Sequence, residues 1–207
     1  MEKDEKNSLE FFVRNECSMA VLAGGLSSRM GRNKADLMLN GRSFLDIQIE
    51  KGKKLGISEI FLSGYQKEPR PGIISVPDSY EKAGPLGGLE ACFLVSSRPY
   101  LLILPVDVPC LPVSVFSALI ETFFKQVQAN KAPSAMIISH NGQKEPLIGI
   151  YSVNKAETLR MILQGEKRSV ICFLEAAGYQ VLPIKEKESA FFNINTPGEY
   201  QKICNSD

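Results

Sequence analysis

Short apolar runs alternate along the chain with longer stretches in which apolar residues return every three or four positions. The runs fall at residues 19–22, 60–63, 73–76, 100–104, 135–139 and 147–151, each short enough for a strand buried on both faces. The stretches 43–55, 86–95 and 113–127 carry the spacing of helices with an apolar face. Strand and helix in turn predict βαβ units, a mostly parallel sheet and an α/β fold in a single domain. Right-handed crossovers then bring the carboxyl ends of the strands to one edge, where such sheets bind ligands. Beyond residue 153 the pattern predicts helices over 154–163 and 169–176, a strand near 180–184 and a last helix from Pro197, capped by Thr196.

The opening MEKDEKNSLEFFVRNEC breaks this rhythm. It is charged, lacks the apolar core of a signal peptide, and is expected as an N-terminal extension over 1–17, partly disordered, ahead of a domain over 18–207. Residues 1–7 are expected to fray, with 11–13 packing as a short lead-in. No apolar run approaches the ~20 residues of a membrane span, so no membrane role is expected. The chain's 207 residues suit one domain. Its 24 basic residues nearly balance 23 acidic ones, so no general field draws in nucleic acid. Cys17, Cys92, Cys110, Cys172 and Cys204 are scattered and never spaced C-x-x-C. That pattern argues against a disulfide framework or zinc site and for reduced thiols in the cytoplasm. Any selectivity for anions must be local.

One loop supplies it. The run 19–22 drops into Ala23-Gly24-Gly25, followed by Ser27, Ser28, Arg29, Gly31, Arg32 and then Lys34. Gly24 and Gly25 let the backbone turn tightly and aim N–H groups at an anion. Arg29 offers a fork of donors to phosphate oxygens and Lys34 a compact charge. The loop is not a P-loop, since Gly31 stands three residues before the lysine and Ala35 follows it; nor does it contain G-x-G-x-x-G.

Three further segments carry candidate chemistry. In YLLILPVDVPCLP, Asp107 follows an apolar run and stands between Pro105 and Pro109, whose fixed φ angles stiffen the turn. A carboxylate so placed beside a phosphate loop suits Mg²⁺, which takes one or two carboxylates plus substrate phosphates and waters; it equally suits a cap for the helix near Val113. In VPDSYEKAGPLGGL, Gly84-Pro85-Leu86-Gly87-Gly88 admits close backbone approach at the start of a helix. Asp78 there is a candidate acceptor for a base or ribose, or an ordinary turn residue. In FFNINTPGE, Asn193 and Asn195 alternate around Ile194, so in an extended segment both amides face one way; capping is the simpler account. His140, the one histidine, sits in a turn-like SHNG segment that suits a surface loop better than general-base work.

The loop resembles the L-A-G-G-x-S-x-R-M-G-x-x-K signature of nucleotidyltransferases, and the order of all four elements, ending in N-I-N-T-P, resembles the molybdenum cofactor guanylyltransferase family. GEKRSVICF (165–173) and Glu145-Pro146-Leu147 are similar to later family segments. The resemblance implies a Rossmann-like three-layer sandwich that joins the GMP part of GTP to the terminal phosphate of molybdopterin, with Mg²⁺, and releases pyrophosphate. It implies that Leu22, Ala23, Gly24 and Gly25 line the nucleotide, with Ser63, Asp78, Gly84, Pro85 and Leu86 in the same set. Arg29 and Lys34 would hold phosphates, Asp107 the metal, and Asn193 and Asn195 would face the acceptor side or the metal; Arg29, Lys34 and Asp107 would form the catalytic set. Asn33 departs from the aspartate that many members carry before the lysine. A labile acceptor further implies transient hand-over from proteins that supply molybdopterin and to those that mature molybdoenzymes, from a monomer or weak oligomer. A cytidylyl- or sugar-1-phosphate nucleotidyltransferase of the same fold is the rival reading, since residue types do not reveal the base. A nucleotide-binding module without chemistry is a more distant one, opposed by Arg29, Lys34 and Asp107.

Overall fold

The chain begins with α1 (Glu2–Glu16) and β1 (Cys17–Leu22), then a small ribbon, β2 (Met38–Leu39) and β3 (Arg42–Ser43). It continues through α2 (Phe44–Lys54), β4 (Glu59–Ser63), β5 (Ile74–Val76), α3 (Pro85–Val95), β6 (Tyr100–Pro105) and α4 (Val113–Gln128). The last part holds β7 (Ala135–His140), β8 (Gln143–Ser152), α5 (Ala156–Gln164), α6 (Val170–Ala177), β9 (Gln180–Pro183) and α7 (Pro197–Cys204). This computed structural model describes residues 2–24, 33–65, 70–80 and 83–204.

Seven strands form one sheet in the order β5-β4-β1-β6-β8-β7-β9. The six apolar runs and the strand predicted near 180–184 all enter it. β8 runs antiparallel to both neighbours, and the other pairings are parallel. The reversal has a local cause: β7 and β8 are joined by Asn141-Gly142, both at positive φ (50° and 78°), the conformation of a two-residue hairpin. His140 is therefore the last residue of a strand and not part of a surface loop. It is buried, its Nε2 lies 3.0 Å from the Glu186 carbonyl, and its ring stacks on Phe191 at 4.1 Å.

Alternation along the central strands divides the interior into two cores. Met19 and Val21 of β1, with Leu102 and Leu104 of β6, face a core shared with α1, α2 and α4. Ala20, Leu22, Leu101 and Ile103 face the other, built on α3, α5 and α6. Helices on both faces of a mostly parallel sheet make the expected three-layer sandwich. Burial on both sides explains why all six residues of β1 are buried and why its run is continuously apolar.

Where frayed chain and a short lead-in are expected at the N-terminus, the structure has α1. Phe12 is 2% exposed, and its ring lies 5.0 Å from Phe124 of α4 and 5.5 Å from Tyr100 of β6. No helix among the described residues is long and apolar enough to cross a membrane.

Candidate functional site

The carboxyl ends of β1, β4, β5 and β6 meet at one edge, and hydrogen bonds carry the sheet a step beyond the strands. Ala23 N donates to Ser63 O (3.0 Å), Val106 N to Leu22 O (3.1 Å) and Gly64 N to Val76 O (3.2 Å). These bonds bring Gly24 and Gly64 so close that a Cβ on Gly64, at φ +72°, would collide with Gly24 Cα.

Above this edge lies a cavity of about 550 Å³. Leu22, Ala23 and Gly24 line it from β1, and Ser63 and Asp78 from the ends of β4 and β5. Gly84, Pro85 and Gly88 line it from the start of α3, and Lys34 and Asp107 from the loops after β1 and β6. Ser63 Oγ donates to Asp78 Oδ1 at 3.2 Å. A side chain on Gly88 would collide with that hydroxyl, so the helix reaches this wall only through glycine. Leu86 turns instead into the core and is 1% exposed. Gly25 and Arg29 lie outside the described residues.

Lys34 opens a single 3-10 turn, Lys34–Asp36, in which Asn33 Oδ1 accepts from Ala35 N at 3.0 Å. An amide oxygen thus makes the cap that an aspartate would make. The Lys34 ammonium lies 3.1 Å from Asp107 Oδ2 and 2.5 Å from Asn195 Oδ1. Residue 195 arrives there because Ile194, fully buried, donates its N–H to Asp107 O at 3.0 Å. Asn193 and Asn195, on either side of it, are exposed, as the alternation predicts.

Thr196 caps α7 as expected, and Glu199 answers it. Glu199 Oε2 accepts from Asn195 N (2.7 Å) and Thr196 N (2.8 Å), while Glu199 N donates to Thr196 Oγ1 (3.3 Å), a reciprocal capping box. The Asn195 N–H, aided by the donors of Thr196 and by Lys34, holds the Glu199 carboxyl below its ordinary value.

Three lining positions, Pro105, Val106 and Leu147, escaped the sequence reading. Pro105 and Val106 come with the Asp107 turn. Leu147 reaches the cavity through a register shift: Ile137 pairs with Gly149 but Ile138 with Glu145, so residues 146–148 arch out of the ladder. Pro146, which has no N–H to give the ladder, was the available signal. Neighbouring Glu145 is half-buried, and burial raises its carboxyl.

No group of three or more His, Cys, Asp or Glu side chains among the described residues could cage a metal. A cation at Asp107 would therefore need its remaining ligands from phosphates and water, which is the habit of Mg²⁺. The donor set fits that mode: a carboxylate 22% exposed on the cavity side, already holding a cationic group.

The model of the MobA-like NTP transferase domain matches residues 19–177. A probable molybdenum cofactor guanylyltransferase of Geobacillus sp. (strain WCH70) is 26% identical over 201 residues, covering 91% of this chain and 98% of that one. Another, from Carboxydothermus hydrogenoformans, is 28% identical over 195 residues, covering 90% and 94%. Among solved structures, molybdopterin-guanine dinucleotide biosynthesis protein A from Archaeoglobus fulgidus superposes with a TM-score of 0.71 at 21% identity, over 90% of this chain and 96% of that one. The 2-C-methyl-D-erythritol 4-phosphate cytidylyltransferase of Thermus thermophilus shares the fold at a TM-score of 0.64 and 14% identity, over 89% and 96%.

Proposed function

Because the chain belongs to the MobA-like NTP transferase family, we propose that it is a molybdenum cofactor guanylyltransferase, which transfers GMP from GTP to the terminal phosphate of molybdopterin and releases pyrophosphate. The observation that carries this reading is the junction of Lys34 with Asp107 and Asn195 beside a cavity that β1 and α3 line closely at Gly24, Gly84 and Gly88 and that carries the polar side chains of Ser63 and Asp78. Such a site has a cation, a carboxylate and an amide where phosphates would meet. Among the described residues it presents no histidine or cysteine for covalent or general-base chemistry.

The reaction asks for neither. A phosphate nucleophile is ionised at neutral pH, so the barrier is repulsion between anions and the charge that builds on departing pyrophosphate. Positioning and cations answer both. The backbone of residues 22–24, with Ser63 and Asp78, would hold the nucleoside. Lys34 would leave Asp107 for the phosphates, joined by Arg29. Asp107 would hold Mg²⁺, which when bound neutralises phosphate charge. Asn193 and Asn195 would face the acceptor, delivered by transient contact with the protein that makes it.

The test is pyrophosphate release from GTP and molybdopterin, with and without Mg²⁺, and with CTP in place of GTP. We expect metal-dependent release with GTP, and a loss of about 10²–10³ in turnover for Asp107→Ala with the fold intact. Preference for CTP would move the activity to the cytidylyl branch, and near-normal turnover of Asp107→Ala would remove Asp107 from the mechanism.

A further inference from the structure

The turn that carries Asp107 is gripped from below by two polar side chains of α2 that a packed helix face does not ordinarily contain. Gln48 is fully buried, and its Nε2 donates to Pro105 O at 2.8 Å and Val108 O at 3.2 Å. Lys51, one helical turn on and 6% exposed, donates to Pro109 O at 2.9 Å, with its ammonium 5.9 Å from the centre of the Phe116 ring. Every hydrogen bond of the two side chains that the structure records thus goes to one five-residue segment.

Both are costly residues for this place. Gln48 Oε1 is buried with no hydrogen-bond partner among the described residues, and a buried amide or ammonium gives up hydration that an apolar side chain never had. The core on this side of the sheet, to which Ile49 of α2 and Phe116 of α4 belong, is otherwise apolar, and the Phe116 ring lies beside the Lys51 ammonium. The turn has a particular need of outside donors. Pro105 and Pro109 have no N–H, and chain between two prolines does not fold onto itself in a helix. Its other backbone ties are Val106 N to Leu22 O, Ile194 N to Asp107 O and a longer bond (3.3 Å) from Leu111 N to Val108 O. With Gln48 and Lys51 added, the carbonyls of residues 105, 107, 108 and 109 each have a donor from another element. The Asp107 Cα is then fixed on both sides, and its carboxylate keeps only side-chain freedom.

We propose that Gln48 and Lys51 are positioning residues that hold the Asp107 carboxylate in the geometry needed to bind the divalent cation with nucleotide. The inference rests on the reading of Asp107 as the metal carboxylate given above. Placement of a charged ligand to within a fraction of an ångström is where such support acts.

The test uses the full chain and Mn²⁺ as probe, read by electron paramagnetic resonance in the presence of GTP, alongside turnover. Gln48→Met and Lys51→Met, each checked for folding, should weaken Mn²⁺ about tenfold and lower turnover about tenfold. Binding of GTP without metal should stay within twofold. In an Asp107→Asn background, where there is no carboxylate to position, Gln48→Met should change Mn²⁺ binding by less than twofold. If Asp107→Asn loses Mn²⁺ while both methionine variants keep it, α2 is merely packed against the turn and the proposal falls. If Asp107→Asn itself keeps Mn²⁺, the metal reading fails first and takes this one with it.

Discussion

Lys51 carries an electrostatic cost that can be measured. Burial pushes its ammonium down to about 8 from an ordinary 10.5, with only partial relief from Cys110. Below pH 8 the folded and unfolded chains both hold this proton, and the full cost of burying the charge is present. Between pH 8 and 10.5 the unfolded chain binds more protons than the folded one, so stability rises with pH through this group. Relative to Lys51→Met, the protein should gain up to about 3 kcal/mol across that window, read as the difference in denaturant unfolding free energy between pH 7.5 and 10.5. A constant difference would mean that Lys51 is not desolvated. Residues such as Lys34, Asp107 and Asn195 were legible in the sequence because their neighbours are unusual: glycines, flanking prolines, an N-x-N-T-P run. Gln48 and Lys51 were not, because a polar residue on an amphipathic helix reads as solvent-facing, and only the arrival of the 105–109 turn makes that face interior. His140 misled for a related reason, since the Asn-Gly after it is the turn and the histidine is not.

At the scale of elements, periodicity located most strands and helices to within a residue or two and their mostly parallel arrangement, but it started β8 four residues late and missed its direction, the β2–β3 ribbon and the first helix. The sequence of α1 is mostly polar, with few apolar residues to mark a face, so its helical state follows from docking against α4 rather than from pattern. Phe12 is the anchor of that docking. Phe12→Ala should cost ~3–5 kcal/mol of stability, while GTP affinity, measured below the new melting temperature, stays unchanged because the cavity is built on other elements. A loss of affinity in the folded variant would show that α1 is coupled to the site. The direction of β8 was written in Asn141-Gly142, a hairpin signal that the expectation of βαβ units overrode. Pro146 marks the break at residues 146–148 locally, but that the break brings Leu147 to the cavity depends on how two neighbouring strands diverge, which no local window contains.

For the whole molecule, the site is an edge property of a sheet whose strands come from distant parts of the chain. A nucleotide bound there stabilises the fold as a unit. At about 100 times its Kd, GTP should raise stability by ~2.7 kcal/mol, or roughly 5–10 °C in Tm for a domain near this size, with a larger shift when Mg²⁺ is present. A panel of GTP, CTP, ATP and UTP reads this directly, and the absence of a shift with every nucleotide would leave the non-catalytic reading as the one to pursue. The bond from Lys34 to Asn195 spans 161 positions, and the capping box of α7 that steadies Asn195 lies later still. During synthesis from the N-terminus, then, β1, β4 and β6 have long been available to pair when the amide that bonds Lys34 leaves the ribosome. A nascent chain stalled before that point would own a sheet, a glycine-lined cleft and an aspartate, yet Lys34 and Asp107 would face each other without their third partner.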